Sequence, residues 1–242
     1  MFELIIFFLI ILFASILQTS SGFGFSIIAT PLLLVLFSPQ EAIQINILLS
    51  LVISFTLIWK IRQDVDFSLL KKIVMGSLIG APFGSVIFSF VNIITFKLII
   101  AITLIGLTIL LIKNLSFQPT TKRDYGVGFL SGLLTTSIGM AGPPLLLYFA
   151  GTMKSKEMIR ATTLAYYIFI YLISLLFQLT MTGTNKTVWV NSLYALPILL
   201  IGLVVGQIFF NRLDQKLFSR LINIMLFAAG VILLIQTIFA MF

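Results

Sequence analysis

Apolar positions come in long blocks, at 2–17, 25–37, 42–59, 69–90, 96–112, 125–134, 144–150, 159–181, 188–210 and 217–242. A helix needs about 20 apolar residues to cross a bilayer, and six of these blocks come close to that length or exceed it. The blocks at 2–17, 25–37, 125–134 and 144–150 are too short to span comfortably. They form two pairs, each split by a polar, glycine-rich break: Gln18-Thr19-Ser20-Ser21-Gly22-Phe23-Gly24, and Thr135-Thr136-Ser137-Ile138-Gly139-Met140-Ala141-Gly142-Pro143. The pattern predicts an all-α polytopic membrane protein. Interrupted apolar segments at corresponding places in two halves point to a transporter's binding site.

The halves can be superposed residue by residue. Gln18-Thr19-Ser20-x-Gly22 matches Thr135-Thr136-Ser137-x-Gly139, and Pro31-Leu32-Leu33-Leu34 matches Pro144-Leu145-Leu146-Leu147. Glu41 falls over Glu157, Gly80-x3-Gly84 over Gly202-x3-Gly206, and Phe96 over Phe218, with an offset of about 113 to 122. This is an internal duplication, with a first repeat at 1–113, a cytoplasmic linker at 114–124 and a second repeat at 125–242.

Positive charge decides how the repeats are related, because cytoplasmic loops collect Lys and Arg. If each split pair crossed the bilayer as one helix, the basic residues would divide eight against seven. If each pair enters and returns to the same face, Lys60, Arg62, Lys71, Lys72, Lys113, Lys122, Arg123, Lys154, Lys156, Arg160, Arg212, Lys216 and Arg220 share one face. Only Lys97 and Lys186 then lie opposite, thirteen against two. The expectation is two inverted repeats, each a broken or re-entrant helix pair plus three full helices, with both termini on the non-cytoplasmic side. Two complete short crossings per pair would give the same sidedness. The first block lacks a basic leader and a small-residue cleavage site, so it reads as a retained helix.

Composition narrows the chemistry. Of 242 residues, 60% are hydrophobic and 9% charged, which excludes a soluble globular enzyme. With no Cys and no His there is no thiolate, no imidazole base and no Cys or His metal ligand. The acids Glu3, Glu41, Asp64, Asp66, Asp124, Glu157 and Asp214 all stand at or near block ends, which argues against an intramembrane hydrolase. Neither a cofactor nor a metal is expected. The net charge of +8 is spread singly or in pairs between apolar blocks, which reads as topology and not as nucleic-acid binding.

The breaks are the candidate site. A broken helix at membrane depth is tolerated only where protein or a polar cavity satisfies it. New helices start near Phe25 and Pro144, and helix N-termini offer free N–H groups and positive dipole ends. Gln18, Thr19, Ser20, Ser21, Thr135, Thr136 and Ser137 add polar side chains, while Gly22, Gly24, Gly139 and Gly142 allow close backbone approach. Asn46, Thr162 and Thr163 fall about one turn inside the next helices and complete the candidate set. Glu41 and Glu157 read as helix caps, Arg160 as a snorkelling anchor or an attractor of anions, and the Gly-x3-Gly pairs as packing scaffold. Small polar residues also serve ordinary helix packing; it is the pairing of the two breaks that favours a small oxyanion site.

The two breaks with their following Pro31-Leu32-Leu33-Leu34 and Gly142-Pro143-Pro144-Leu145-Leu146-Leu147 strings resemble the TauE/SafE-type sulfite exporter family, also called toluene sulfonate uptake permeases. The resemblance covers essentially the whole chain. It implies an inner-membrane transporter of sulfite, sulfoacetate or other organosulfonates; the residues alone argue only for a small anion. Interleaved Phe23 and Phe25 depart from the richer glycine run expected in the family's first motif. The partners expected are the anion and the lipid bilayer, with a homo-oligomer compatible. An anion channel and a non-transporting scaffold subunit with the Gly-x3-Gly faces as partner surfaces are the rival readings.

Overall fold

The computed structural model of the protein describes residues 2–90, 120–150, 152 and 154–212, with isolated residues between 94 and 109 and between 227 and 238. The expected helices at 96–112 and 217–242 and most of the linker lie largely or wholly outside the described residues, as do Lys97, Lys113, Asp214, Lys216 and Arg220. Eight α-helices are described: α1 (Phe2–Ser21), α2 (Phe25–Leu36), α3 (Pro39–Ile61), α4 (Phe67–Phe90), α5 (Thr121–Ile138), α6 (Gly142–Ala150), α7 (Lys156–Met181) and α8 (Lys186–Arg212). Helices α1, α3, α4, α7 and α8 are long and apolar enough to cross a membrane.

Both breaks are narrower than the polar runs predict, because α1 and α5 continue through the hydroxyl residues. Ser20 and Ser21 donate to the Leu17 carbonyl at 3.1 and 2.6 Å, Thr135 to Ser131 at 2.5 Å and Ser137 to Leu133 at 2.7 Å. A side chain satisfied this way on its own helix need not interrupt it. The breaks reduce to Gly22-Phe23-Gly24 and Gly139-Met140-Ala141. Gly22, Gly24 and Gly139 turn the chain at φ 81, 108 and 73°, a left-handed region that favours glycine.

Each broken pair folds back on itself. The Phe37 ring, just past α2, lies 5.5 Å from that of Phe7 near the start of α1, and Tyr148 on α6 donates at 2.5 Å to Asp124 in the first turn of α5. Helices α3 and α7, equivalent in the two halves, run antiparallel. At one end Gln40 donates to the Thr182 and Gly183 carbonyls and Gln44 to Gly183. At the other, the Asp66 amide donates to the Thr162 hydroxyl at 2.9 Å and Lys154 pairs with Asp66.

Exchanging the halves reproduces the remaining packing. Helix α4 lies parallel along α5 and α8 along α1. Gly80 and Gly84 press on the carbonyls of Phe129 and Leu133, while Gly202 and Gly206 press on those of Leu12 and Ile16. The Gly-x3-Gly faces are therefore consumed inside the fold, which removes them as partner surfaces. One end of the molecule gathers Lys60, Arg62, Lys71, Lys72, Lys122, Arg123, Lys154, Lys156, Arg160 and Arg212; among the described basic residues only Lys186 stands at the other.

Candidate functional site

The two breaks meet across the molecule, each against the other half. A β-carbon on Gly142 would stand 3.2 Å from Cδ1 of Ile27 in the first turn of α2 and 2.8 Å from the Tyr167 hydroxyl. Asn46 of α3 donates from Nδ2 to the Gly139 carbonyl at 2.7 Å, and a β-carbon on Gly22 would stand 2.9 Å from Cα of Arg160 on α7. The Tyr171 hydroxyl faces Ser26, Ser50 and the backbone of Ala141, so it looks on both breaks at once.

The two short helices differ as anion receptors. Helix α2 starts at Phe25-Ser26-Ile27 with no side-chain cap on its amides, so its positive end and its first N–H groups are open. Helix α6 starts at Gly142-Pro143-Pro144, and proline has no N–H. Its terminus contributes a dipole and the Gly142 amide, fewer donors than a helix start alone predicts.

Of the expected site residues, Gln18, Thr19, Ser20, Asn46, Thr135, Thr136, Ser137, Thr162 and Thr163 are buried, as are Gly22, Gly24, Gly139 and Gly142, and Ser21 is half-buried. Their roles separate. Ser20, Ser21, Thr135 and Ser137 spend their hydroxyl protons on helix carbonyls, and Thr136 bridges to Ala81 of α4 at 2.7 Å. Thr162 takes the Asp66 amide at the basic end and is not brought to the second break. Gln18 holds Ser50 and Ser54 of α3 through Nε2 while its Oε1, the Thr19 and Thr163 hydroxyls and Oδ1 of Asn46 have no partner.

The sequence reading missed the hydroxyls of Ser26, Thr30, Ser50, Tyr166, Tyr167 and Tyr171, all buried and without a hydrogen bond of good geometry. The available signal was three tyrosines inside the apolar block 159–181; polar groups inside a membrane helix are expensive and commonly functional. A buried polar atom without a partner costs free energy that a bound ligand's oxygens can relieve. Around the two breaks such atoms are concentrated.

At the basic end two ion pairs join the halves. Lys72 of α4 pairs with Asp124 of α5 at 2.9 Å, and Lys154 with Asp66. Asp66 lies between spanning segments; burial pushes its carboxyl up, but the Lys154 hydrogen bond, the Leu69 and Ser68 amides and the Lys154 charge together hold it below the usual aspartate value. At the opposite end Glu41 takes the Ser38 amide and hydroxyl at 3.1 and 2.9 Å and the Asn185 amide at 2.8 Å, which is a helix cap as expected. Arg160 is 1% exposed, so it does not snorkel.

No curated protein and no solved structure matches the chain. A family model described as Sulfite exporter TauE/SafE matches residues 7–233, which takes in both halves, both breaks and every residue assembled around them. On that match the chain belongs to the sulfite exporter TauE/SafE family of membrane transporters.

Proposed function

We propose that the protein is a secondary transporter that moves sulfite, sulfoacetate or a related small organosulfonate across the inner membrane by alternating access, with the anion held between the two breaks. The observation that carries this reading is the gathering of unpartnered buried polar atoms around the contact between α2's open N-terminus and the second break. Two halves that rock about a central site are the usual architecture of such carriers, and the antiparallel α3 and α7 support inverted repeats. Burial of nearly all the break residues supports an occluded carrier over a continuous pore.

The basic end is assigned to the cytoplasm by the positive-inside rule, which puts the N-terminus outside. Export is the favoured direction. At an interior-negative potential an anion leaves downhill by about 2.3 kcal/mol per charge per 100 mV, so no coupling ion is needed.

The test is flux of radiolabelled sulfite from proteoliposomes under an imposed potential. Saturable, potential-driven efflux at carrier rates is expected, together with its loss when Ser26 or Ser137 is replaced by a bulky residue. Single-channel currents would establish a channel instead, and absence of flux for every sulfur anion would overturn the reading.

A further inference from the structure

Arg160 sits about one turn inside α7 with its side chain out of water, 1% exposed. Among the described residues no carboxylate pairs with it. Its contacts are neutral: Nη2 donates to Oε1 of Gln207 at 2.7 Å, and the guanidinium carbon lies 4.1 Å from the centre of the Phe210 ring. Nε has no partner. A full charge taken out of water without a counter-ion is strongly unfavourable, and inside membrane segments such residues mark the path of ions and substrates.

The side chain also lies against the first break. A β-carbon on Gly22 would stand 3.3 Å from Cγ of Arg160 as well as 2.9 Å from its Cα, so a residue without a side chain is what lets α7 approach here.

The duplication supplies an internal comparison. At the offset of 116 that relates Glu41 to Glu157, Arg160 corresponds to Gln44; at the offset of 122 that relates Gly84 to Gly206, Gln207 and Phe210 correspond to Ser85 and Phe88. Gln44 donates to the Gly183 carbonyl at 2.8 Å. Ser85 and Phe88, with Thr136, Gln178 and Thr182, line a shallow crevice without room for a water molecule. Equivalent positions at the two ends thus carry unequal charge, a cation at the basic end and a neutral amide opposite.

We infer that Arg160 is the receptor for the transported anion at the basic end. Its unpartnered Nε and remaining guanidinium protons grip two oxygens of a sulfur oxyanion, while Gln207 and Phe210 hold the fork in place. Gln44 opposite carries no charge, gives its amide nitrogen to Gly183 and leaves only an acceptor oxygen open, which favours release on that side. This assignment rests on the transport reading above.

The test is the sulfite dependence of the melting temperature of the purified full chain, against chloride at equal ionic strength, because a ligand specific to the folded state raises it. In Arg160→Gln the half-saturating sulfite concentration should rise about 30-fold or more, while the melting temperature without sulfite stays level or rises, since a buried charge that pairs with no carboxylate among the described residues is gone. Arg160→Lys keeps the charge without the fork and should fall between. A wild-type sulfite affinity in Arg160→Gln overturns the assignment, as does a lowered ligand-free melting temperature with an intact sulfite response. If Arg160→Gln does not fold, Gln207→Ala decides: weaker sulfite binding supports the assignment and unchanged binding overturns it. If wild type responds to no sulfur anion, the transport reading itself fails, whereas a responsive wild type with an equally responsive Arg160→Gln removes Arg160 alone.

Discussion

Gly84 and Gly206, 122 positions apart, stand at the same contact in the two halves. A β-carbon on Gly84 would collide with the Leu133 carbonyl and Thr136, and one on Gly206 would meet the Ile16 carbonyl and Thr19; the two sets of partners are themselves related by an offset of 117. Helix backbones cannot pack this closely around a larger residue. Gly84→Ala and Gly206→Ala should each destabilise the protein by about 3 kcal/mol or more, the upper range of overpacking. Gly126→Ala on α5, where no atom of the described residues lies within 4 Å, should stabilise by about 0.5 to 1 kcal/mol as an ordinary helix substitution. Thermal unfolding in detergent checks all three, and a Gly206→Ala protein as stable as wild type would refute the α1–α8 contact.

The Tyr171 hydroxyl is fully buried, facing Ser26, Ser50 and Ala141 without a hydrogen bond of good geometry to any of them. Removing a buried polar group that makes no hydrogen bond of good geometry should not weaken the fold, so Tyr171→Phe should melt at or above the wild-type temperature. If the hydroxyl serves the anion, the same variant should lose about 1 to 2 kcal/mol of binding, roughly a 5- to 30-fold weaker apparent affinity. Sulfite flux at several concentrations separates the outcomes, and an unchanged affinity in a well-folded Tyr171→Phe would exclude this hydroxyl from the site.

Much of this was legible before any coordinates. The broken pairs, their folding back and the gathering of the described basic residues at one end of the molecule follow from block length and charge, because the bilayer fixes the first and the positive-inside rule the last. What was not legible is rotation about each helix axis. A helix apolar on all sides carries no periodic signal for which residue faces inward. Asn46 and Thr162 therefore looked equivalent, yet Asn46 reaches Gly139 and Thr162 holds the Asp66 amide. The hydroxyls of Ser20 and Ser137 looked open, but back-bonding to Leu17 and Leu133 occupies their protons, a local competition that the residue type leaves undecided.

The ion pairs Lys72 to Asp124 and Lys154 to Asp66 join the two halves at the basic end, and the carrier proposed above can be tested for opening there by parting them. Asp124 is buried and also accepts from Tyr148, which makes it the more costly member to release. The natural chain has no cysteine, so a single introduced one reports access without background. With Thr163→Cys, 1% exposed at the outset, a membrane-impermeant thiol reagent supplied at the basic end should label slowly. Adding Asp124→Asn should speed labelling at least about fivefold if the pair contributes 1 kcal/mol or more to the closed form. Equal rates in both proteins would mean that these pairs do not gate.

Asp66 extends the same latch into pH. It lies in the turn between α3 and α4, pairs with Lys154 and accepts the Leu69 amide at 3.0 Å. Burial pushes its carboxyl up, yet the Lys154 hydrogen bond, the Leu69 and Ser68 amides and the Lys154 charge outweigh burial and hold it below its ordinary 3.8. In the unfolded chain the same group titrates near that ordinary value. A folded value below the unfolded one means that the carboxylate stabilises the protein at pH above the ordinary value and that this contribution is lost as pH falls through the depressed folded value. The melting temperature of wild type should therefore exceed that of Asp66→Asn by a constant margin from pH 7 down to about 5, and the margin should close only below about pH 4. Lys154→Met keeps the amide contacts and removes the cation, so in that background the margin should be smaller and should close at higher pH. A wild type that melts below Asp66→Asn at pH 7, with the deficit closing as pH falls toward 5, would mean that burial dominates at Asp66 and that the inter-half pair is not formed in solution.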